Sequence, residues 1–297
     1  IFDLASLTKV IATTTLSMRH IDAGRWTLTD PIDQYVNGWR GSGREVVTIA
    51  DLLAHSSGLQ AHLPLFQEQG ERDAFKEKIS RLPLEYTPRT MSVYSDLGFI
   101  LLGFLVEDLA KESLDHQLRN MTESCGIDDL RYLPPDSWKT RTAPTGENSL
   151  RGRRLVGEVH DDNGWVLGGV AGHTGLFGST PAVGRFARII MNDLRGSEIL
   201  VSSTTLQAFT RGTGIPNSSR ALGWDTMLPT SSCGHSFSKS AIGHTGFTGT
   251  SLWIDPELDL YIVCLTNRVH DPIDNNAMQT FRPALHDTAL RASGLID

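Results

Sequence analysis

Apolar residues recur at helical spacing through most of the chain and gather into strand-like runs only near its end. The first such stretch, Val10 to Ile21, follows Phe2-Asp3-Leu4-Ala5-Ser6-Leu7-Thr8-Lys9. It predicts a helix from about Ser6 to Ala23, with Gly24 placed to cap it and a turn at Thr29-Asp30-Pro31. Thr48 to Ala54 reads as a short helix capped by Thr48 and broken by His55-Ser56-Ser57-Gly58-Leu59. Residues 60 to 92 are polar, with one helical pattern near Glu71 to Arg81 and loops at Pro83 and Pro88. A strongly apolar helix runs from Leu97 to about Lys111, behind Tyr94-Ser95-Asp96, and another from Leu114 to Ser124. From Asp128 to Gly172 the chain reads as loop. Ser179 caps a helix with Pro181 in its first turn that reaches about Leu194, and a shorter helix covers Ser203 to Thr210.

The last third changes character. Thr250 to Ile254 and Leu260 to Leu265, joined by a turn at Asp255-Pro256-Glu257, predict a β-hairpin, and Asn275 to Ser293 predicts a closing helix. Helices in the middle and strands at the end predict an α+β layout. It reads as one unit, about 1–195 mainly helical and about 196–297 containing the sheet. A lone hairpin is marginal, so further strands must come from elsewhere. The chain opens at Ile1, five residues before Ser6, and looks cut at its front; missing N-terminal strands are the expected partners.

Composition narrows the function. The 297 residues carry 39% hydrophobic and 21% charged side chains, which suits a globular protein with a sizeable core. A formal charge of −7 argues against nucleic acid as the main partner. The longest apolar run, Leu97 to Leu105, is interrupted by Gly98 and Gly103 and is too short to span a membrane. Cys125, Cys233 and Cys264 make no C-x-x-C, and the ten histidines include no H-E-x-x-H, so neither a metal site nor another cofactor is implied.

The candidate chemistry starts at Ser6 and Lys9, three positions apart and therefore neighbours on a helix surface. A nearby amine can take the proton of a serine hydroxyl, and S-x-x-K is a known acyl-transfer arrangement. A second S-x-x-K, Ser236 to Lys239, lies in a polar stretch with no room for a helix. Tyr94, ahead of the buried helix, is either a shared acid/base with Lys9 or a loop tyrosine beside an Asp cap. Gly243-His244-Thr245-Gly246-Phe247 precedes the hairpin and suits an edge strand that lets a substrate backbone approach and aims an N–H at an oxyanion. A second copy, Gly172-His173-Thr174-Gly175, leads into a helix start and reads as a glycine-rich loop.

The ordered set S-x-x-K, Y-S-D and H-T-G resembles the penicillin-recognising serine hydrolases, closest to the branch of class C β-lactamases and family VIII-type esterases. Leu52 to Leu59, Tyr94 to Phe99 and Leu222-Gly223-Trp224 extend the resemblance over nearly the whole chain. The resemblance implies a β-lactamase/transpeptidase-like fold, a helical part packed on an antiparallel sheet with the nucleophile in the cleft between them. It implies Ser6 as acylated nucleophile, Lys9 as activating amine and Tyr94 as acid/base, with the backbone N–H groups of Ser6 and Phe247 as oxyanion hole. Asp96, His244, Thr245, Gly246 and Trp224 are the implied substrate contacts, Trp224 being equally readable as a core anchor.

Two positions depart from the family pattern: His244 stands for its common lysine and Asp96 for its common asparagine. A histidine is largely neutral near pH 7, and Asp96 adds negative charge. Both favour an esterase or amidase-like hydrolase of small esters or cell-wall-related amides and peptides over an efficient β-lactamase. The alternatives are a true β-lactamase or D-Ala-D-Ala carboxypeptidase, and a catalytically silent binding or sensor protein that keeps the pocket, or an inactive fragment. His160-Asp161-Asp162 reads as an aspartate-rich loop anchored by hydrogen bonds, with a second catalytic cluster as the sharper alternative, and His55 as a turn histidine.

Overall fold

A computed structural model describes residues 1–67, 71–228, 231–270 and 277–295. The first five α-helices are α1 (Thr15–Asp22), α2 (Ile49–Leu53), α3 (Arg72–Arg81), α4 (Asp96–Ala110) and α5 (Leu114–Ser124). They are followed by α6 (Asp162–Val166), α7 (Thr180–Leu194), α8 (Ser203–Thr210) and α9 (Ala277–Ala292). Strands β1 (Phe2–Asp3), β2 (Leu130–Tyr132) and β5 (Leu176–Gly178) make an antiparallel sheet in the order β1-β5-β2. A hairpin pairs β3 (Gly146–Asn148) with β4 (Arg153–Leu155). The main sheet runs β6 (Asp225–Thr226), β7 (Ile242–Thr245), β8 (Ser251–Asp255) and β9 (Leu260–Cys264), every pair antiparallel.

Most helices lie where periodicity puts them, and α2, α4, α7 and α8 also carry a side-chain N-cap. Thr48 and Asp51 form a reciprocal capping box on α2. Ser95 caps α4 by accepting from the Gly98 N–H, and Ser179 caps α7 from Ala182. The expected tail helix is α9; its predicted first residue, Asn275, lies outside the described residues.

Three expectations need correction. The helix predicted from Ser6 is not one regular helix: Ser6 sits in a turn, Lys9–Thr14 is π-helical, and α1 follows. Buried threonines explain this. Thr15 Oγ1 donates to the Val10 carbonyl (2.9 Å) and Thr13 Oγ1 to the Gly172 carbonyl (2.6 Å), so side chains as well as backbone set the local winding. The stretch read as loop carries β2, β3, β4 and α6, all too short to show a period. Extra sheet members come from within the chain as well, since β6 extends the main sheet and β1, β2 and β5 build a second.

One buried cluster holds Leu4, Leu7 and Ile11 beside the first turn, Leu97 to Leu102 on α4, and Leu252 and Ile254 on the main sheet. Each such side chain contributes roughly 1.5–3 kcal/mol on burial. The helical part and the sheet are thus packed against each other directly beneath Ser6. Loop 171–175 joins them through a backbone contact. A Cβ on Gly103 of α4 would lie 2.8 Å from the Gly172 Cα, and one on Gly172 would lie 2.1 Å from the Phe99 carbonyl oxygen. Only two glycines let α4 and this loop touch.

The Gly103→Ala variant should therefore lose about 1–3 kcal/mol through overpacking. Urea denaturation should show a lower midpoint with unchanged slope; a wild-type midpoint would refute the close-contact account.

Candidate active site

The site is built on a turn that the sequence strains on purpose. Ala5 adopts φ 46°, a left-handed conformation unfavourable for a residue with a Cβ. Asp3 holds it there: one carboxylate oxygen accepts the Ala5 N–H at 2.8 Å and the other accepts the His160 N–H at 2.7 Å. The turn after β7 is pinned to the same segment, with Thr248 Oγ1 donating to the Asp3 carbonyl (2.7 Å) and Thr250 Oγ1 to the Leu4 carbonyl (3.0 Å). Gly246 is required there, because a Cβ would meet Thr250 Oγ1 at 2.1 Å and the Leu4 oxygen at 2.6 Å.

Ser6 and Lys9 face each other as their spacing predicts, with Lys9 Nζ 3.0 Å from Ser6 Oγ. Lys9 is fully buried and donates also to Asp96 Oδ1 (2.7 Å) and the His173 carbonyl (3.3 Å). Burial alone would depress its pKa, but the Asp96 charge outweighs this, helped by Tyr94, and holds the ammonium above its ordinary range. Asp96 is only partly buried, and although that burial works against ionisation, Lys9 and then His62 keep it a carboxylate far below its usual pKa. The Tyr94 ring lies 4.7 Å from Lys9 Nζ and 5.0 Å from the Arg220 guanidinium carbon, between two cations.

A cleft of about 430 Å³ opens above this pair. Ser6, Tyr94, Asp96 and Phe247, all expected site residues, line it. His62, Phe66, His160, Asp161, Asp162, Asn163, His173, Thr174 and Thr248 complete most of its wall. No lysine or arginine is among the described lining residues.

Other expected contacts fall elsewhere. Trp224 is fully buried in the main cluster, so its place is that of a core anchor. His244 is buried behind Tyr94, ring centroids 5.8 Å apart, and Thr245 and Gly246 shape the turn rather than the wall. Burial, then Arg220 and Lys9, push the His244 pKa well below normal, leaving it neutral. His55 is structural, its Nδ1 accepting the Ser95 N–H at 3.0 Å. The loop His160-Asp161-Asp162 is anchored as expected: Asp161 caps α6 through Gly164 (2.7 Å) and Asp162 receives Arg151 (2.9 Å).

The residue missed by pattern is His173. Its segment is a loop, as read, yet the loop lines the cleft, with His173 Nε2 3.0 Å from Asp161 Oδ1. Its repetition of the G-H-T-G motif at Gly243 was the only available signal.

The architecture is that of a β-lactamase-type fold. A class C β-lactamase from Rhodobacter sphaeroides superposes with TM-score 0.74, 18% identity, and coverage of 97% of this chain and 85% of its own. The Beta-lactamase family model matches residues 1–283, and the chain belongs to that family. It is 30% identical over 305 residues to the N-acetylmuramyl-L-alanine amidase of Bacillus subtilis (strain 168), covering 92% of this chain and 69% of the relative. It is also 30% identical over 308 residues to an Escherichia coli (strain K12) protein named "Putative D-alanyl-D-alanine carboxypeptidase", covering 92% and 70%.

Asp3 makes the site pH-sensitive in stability. Burial pushes its pKa from 3.8 up to about 6, against the two N–H groups that favour the carboxylate. Between those values the folded chain binds more protons than the unfolded one, so stability falls as pH rises through the window. The shift corresponds to about 3 kcal/mol. Relative to Asp3→Asn, the wild type should lose about that much between pH 4 and pH 7 in urea titrations; a pH-independent difference would exclude it.

Proposed function

We propose that the protein is a serine hydrolase that forms an acyl-enzyme on Ser6 and releases it to water. The observation that carries this reading is the 3.0 Å contact of Ser6 Oγ, in the wall of a cleft, with a fully buried lysine. In this reading, neutral Lys9 accepts the serine proton as Oγ attacks the substrate carbonyl carbon. Tyr94, stacked against Lys9, passes a proton to the leaving group. The backbone N–H groups of Ser6 and Phe247 stabilise the oxyanion, a contribution typically worth 10²–10³ in rate per donor.

The substrates are small esters, or amides and peptides related to cell-wall fragments. Support for an amide comes from the Bacillus subtilis relative named as an N-acetylmuramyl-L-alanine amidase. The wall of the cleft carries Asp96, Asp161 and Asp162 and, among described residues, no arginine or lysine. Asp96 and Asp162 are paired with Lys9 and Arg151, so the described wall offers a substrate carboxylate no unpaired cation of its own, which weighs against an efficient β-lactamase or D-Ala-D-Ala carboxypeptidase. The intact Ser6–Lys9–Tyr94 group weighs against a silent binding protein.

Two outcomes test this reading. A fluorophosphonate should label one peptide, that holding Ser6, and Ser6→Ala should abolish both label and hydrolysis of p-nitrophenyl acetate and N-acetylmuramyl-L-alanine; retained turnover would overturn the assignment. Because Asp96 holds Lys9 protonated, kcat/KM should climb into the alkaline range as the amine deprotonates. Asp96→Asn removes the largest raising influence and should move that limb to lower pH; an unmoved limb would exclude Lys9 as the base.

A further inference from the structure

We infer that His173, oriented by Asp161, is the general base that activates water for deacylation of Ser6. This rests on the acyl-enzyme reading above. The two residues pair across the cleft wall, His173 Nε2 lying 3.0 Å from Asp161 Oδ1. Asp161 is itself fixed, since the same oxygen accepts the Gly164 N–H at 2.7 Å as the cap of α6. Burial works against its charge, but His173 and the Gly164 N–H keep it a carboxylate.

With Nε2–H donated to Asp161, the lone pair falls on Nδ1, which is buried and has no protein partner. The imidazole lines the same cleft as Ser6, and the His173 carbonyl accepts from Lys9 Nζ at 3.3 Å. A histidine held by a carboxylate, with its second nitrogen unpaired and its residue in the same cleft wall as the serine, has the base-and-orienter pairing of hydrolytic sites.

The other groups near Ser6 are poorly suited. Lys9 regains its proton under the influence of Asp96. His244 and His55 are buried away from the cleft wall, and His62 lies 3.7 Å from Asp96. His160 also lines the cleft with an unpaired Nδ1, but its ring stacks on Phe247 at 5.9 Å and has no carboxylate hydrogen bond among the described residues to orient it.

The step balances on these groups. A water proton passes to His173 Nδ1 while the water oxygen bonds to the acyl carbon. On collapse the bond from that carbon to Ser6 Oγ breaks, and the imidazolium proton returns to Oγ, directly or through Lys9. The products are free acid and serine.

The test is burst kinetics with p-nitrophenyl acetate on wild type, His173→Gln and Asp161→Asn, with peptide mass analysis of quenched samples. Asn keeps the α6 cap while removing the charge, so this variant guards against a folding failure at His173. Both variants should give a burst of about one p-nitrophenol per site, then steady turnover slowed about 10²-fold or more. Acetylated Ser6 peptide should accumulate. Equal losses in burst rate and steady rate, or steady turnover near wild type, would overturn the base assignment while the Ser6 reading stands. No acetylation of Ser6 in wild type would instead sink the acyl-enzyme reading.

Discussion

The buried contact between Lys9 and Asp96 governs the rest of the site. An ammonium with no exposed surface is costly unless paired and hydrogen-bonded. Here it meets a carboxylate at 2.7 Å, a serine hydroxyl at 3.0 Å and a backbone carbonyl at 3.3 Å. Those acceptors come from the start of α4, from the first turn and from the 171–175 loop, so satisfying one charge brings three segments together. Breaking such a pair by removing one partner typically costs 3–5 kcal/mol.

The glycines serve that convergence. Gly103 and Gly172 permit the backbone approach that places the His173 carbonyl over Lys9, and Gly246 lets the turn after β7 close on Leu4. Asp3 then holds the strained Ala5 and the His160 loop with one carboxylate. Ser6 is therefore presented by hydrogen bonds and close backbone contacts rather than by a regular helix.

Placing aspartate at position 96 changes the electrostatic character of the cleft. It keeps Lys9 charged at rest, and the described wall, whose aspartates are paired with Lys9, His173 and Arg151, lacks a lysine or arginine of its own. His244, buried and neutral behind Tyr94, does not offset it. An anionic substrate group would find no lysine or arginine in that described wall to meet it, whereas a neutral ester or amide needs none.

Local order was legible from sequence wherever a cap and an apolar face coincide, as at Thr48 and Ser179, because those interactions act within a few residues. The Ser6–Lys9 contact was legible for the same reason. The π-helical winding after Ser6 was not, since it accompanies the Thr13 hydroxyl reaching the carbonyl of Gly172, far along the chain. At α4 the cap is Ser95 rather than the aspartate read from sequence, since Asp96 is turned to Lys9 instead. The short strands β2, β3, β4 and β6 were hidden because two or three residues show no period. Trp224 and His244 were assigned by motif, but depth below the surface is a property of packing, and packing buried both. His173 and Asp161 meet only through loops whose positions are set by α4 and α6. Periodicity reports the faces of one element; which loops face each other across a cleft is decided by how the elements pack.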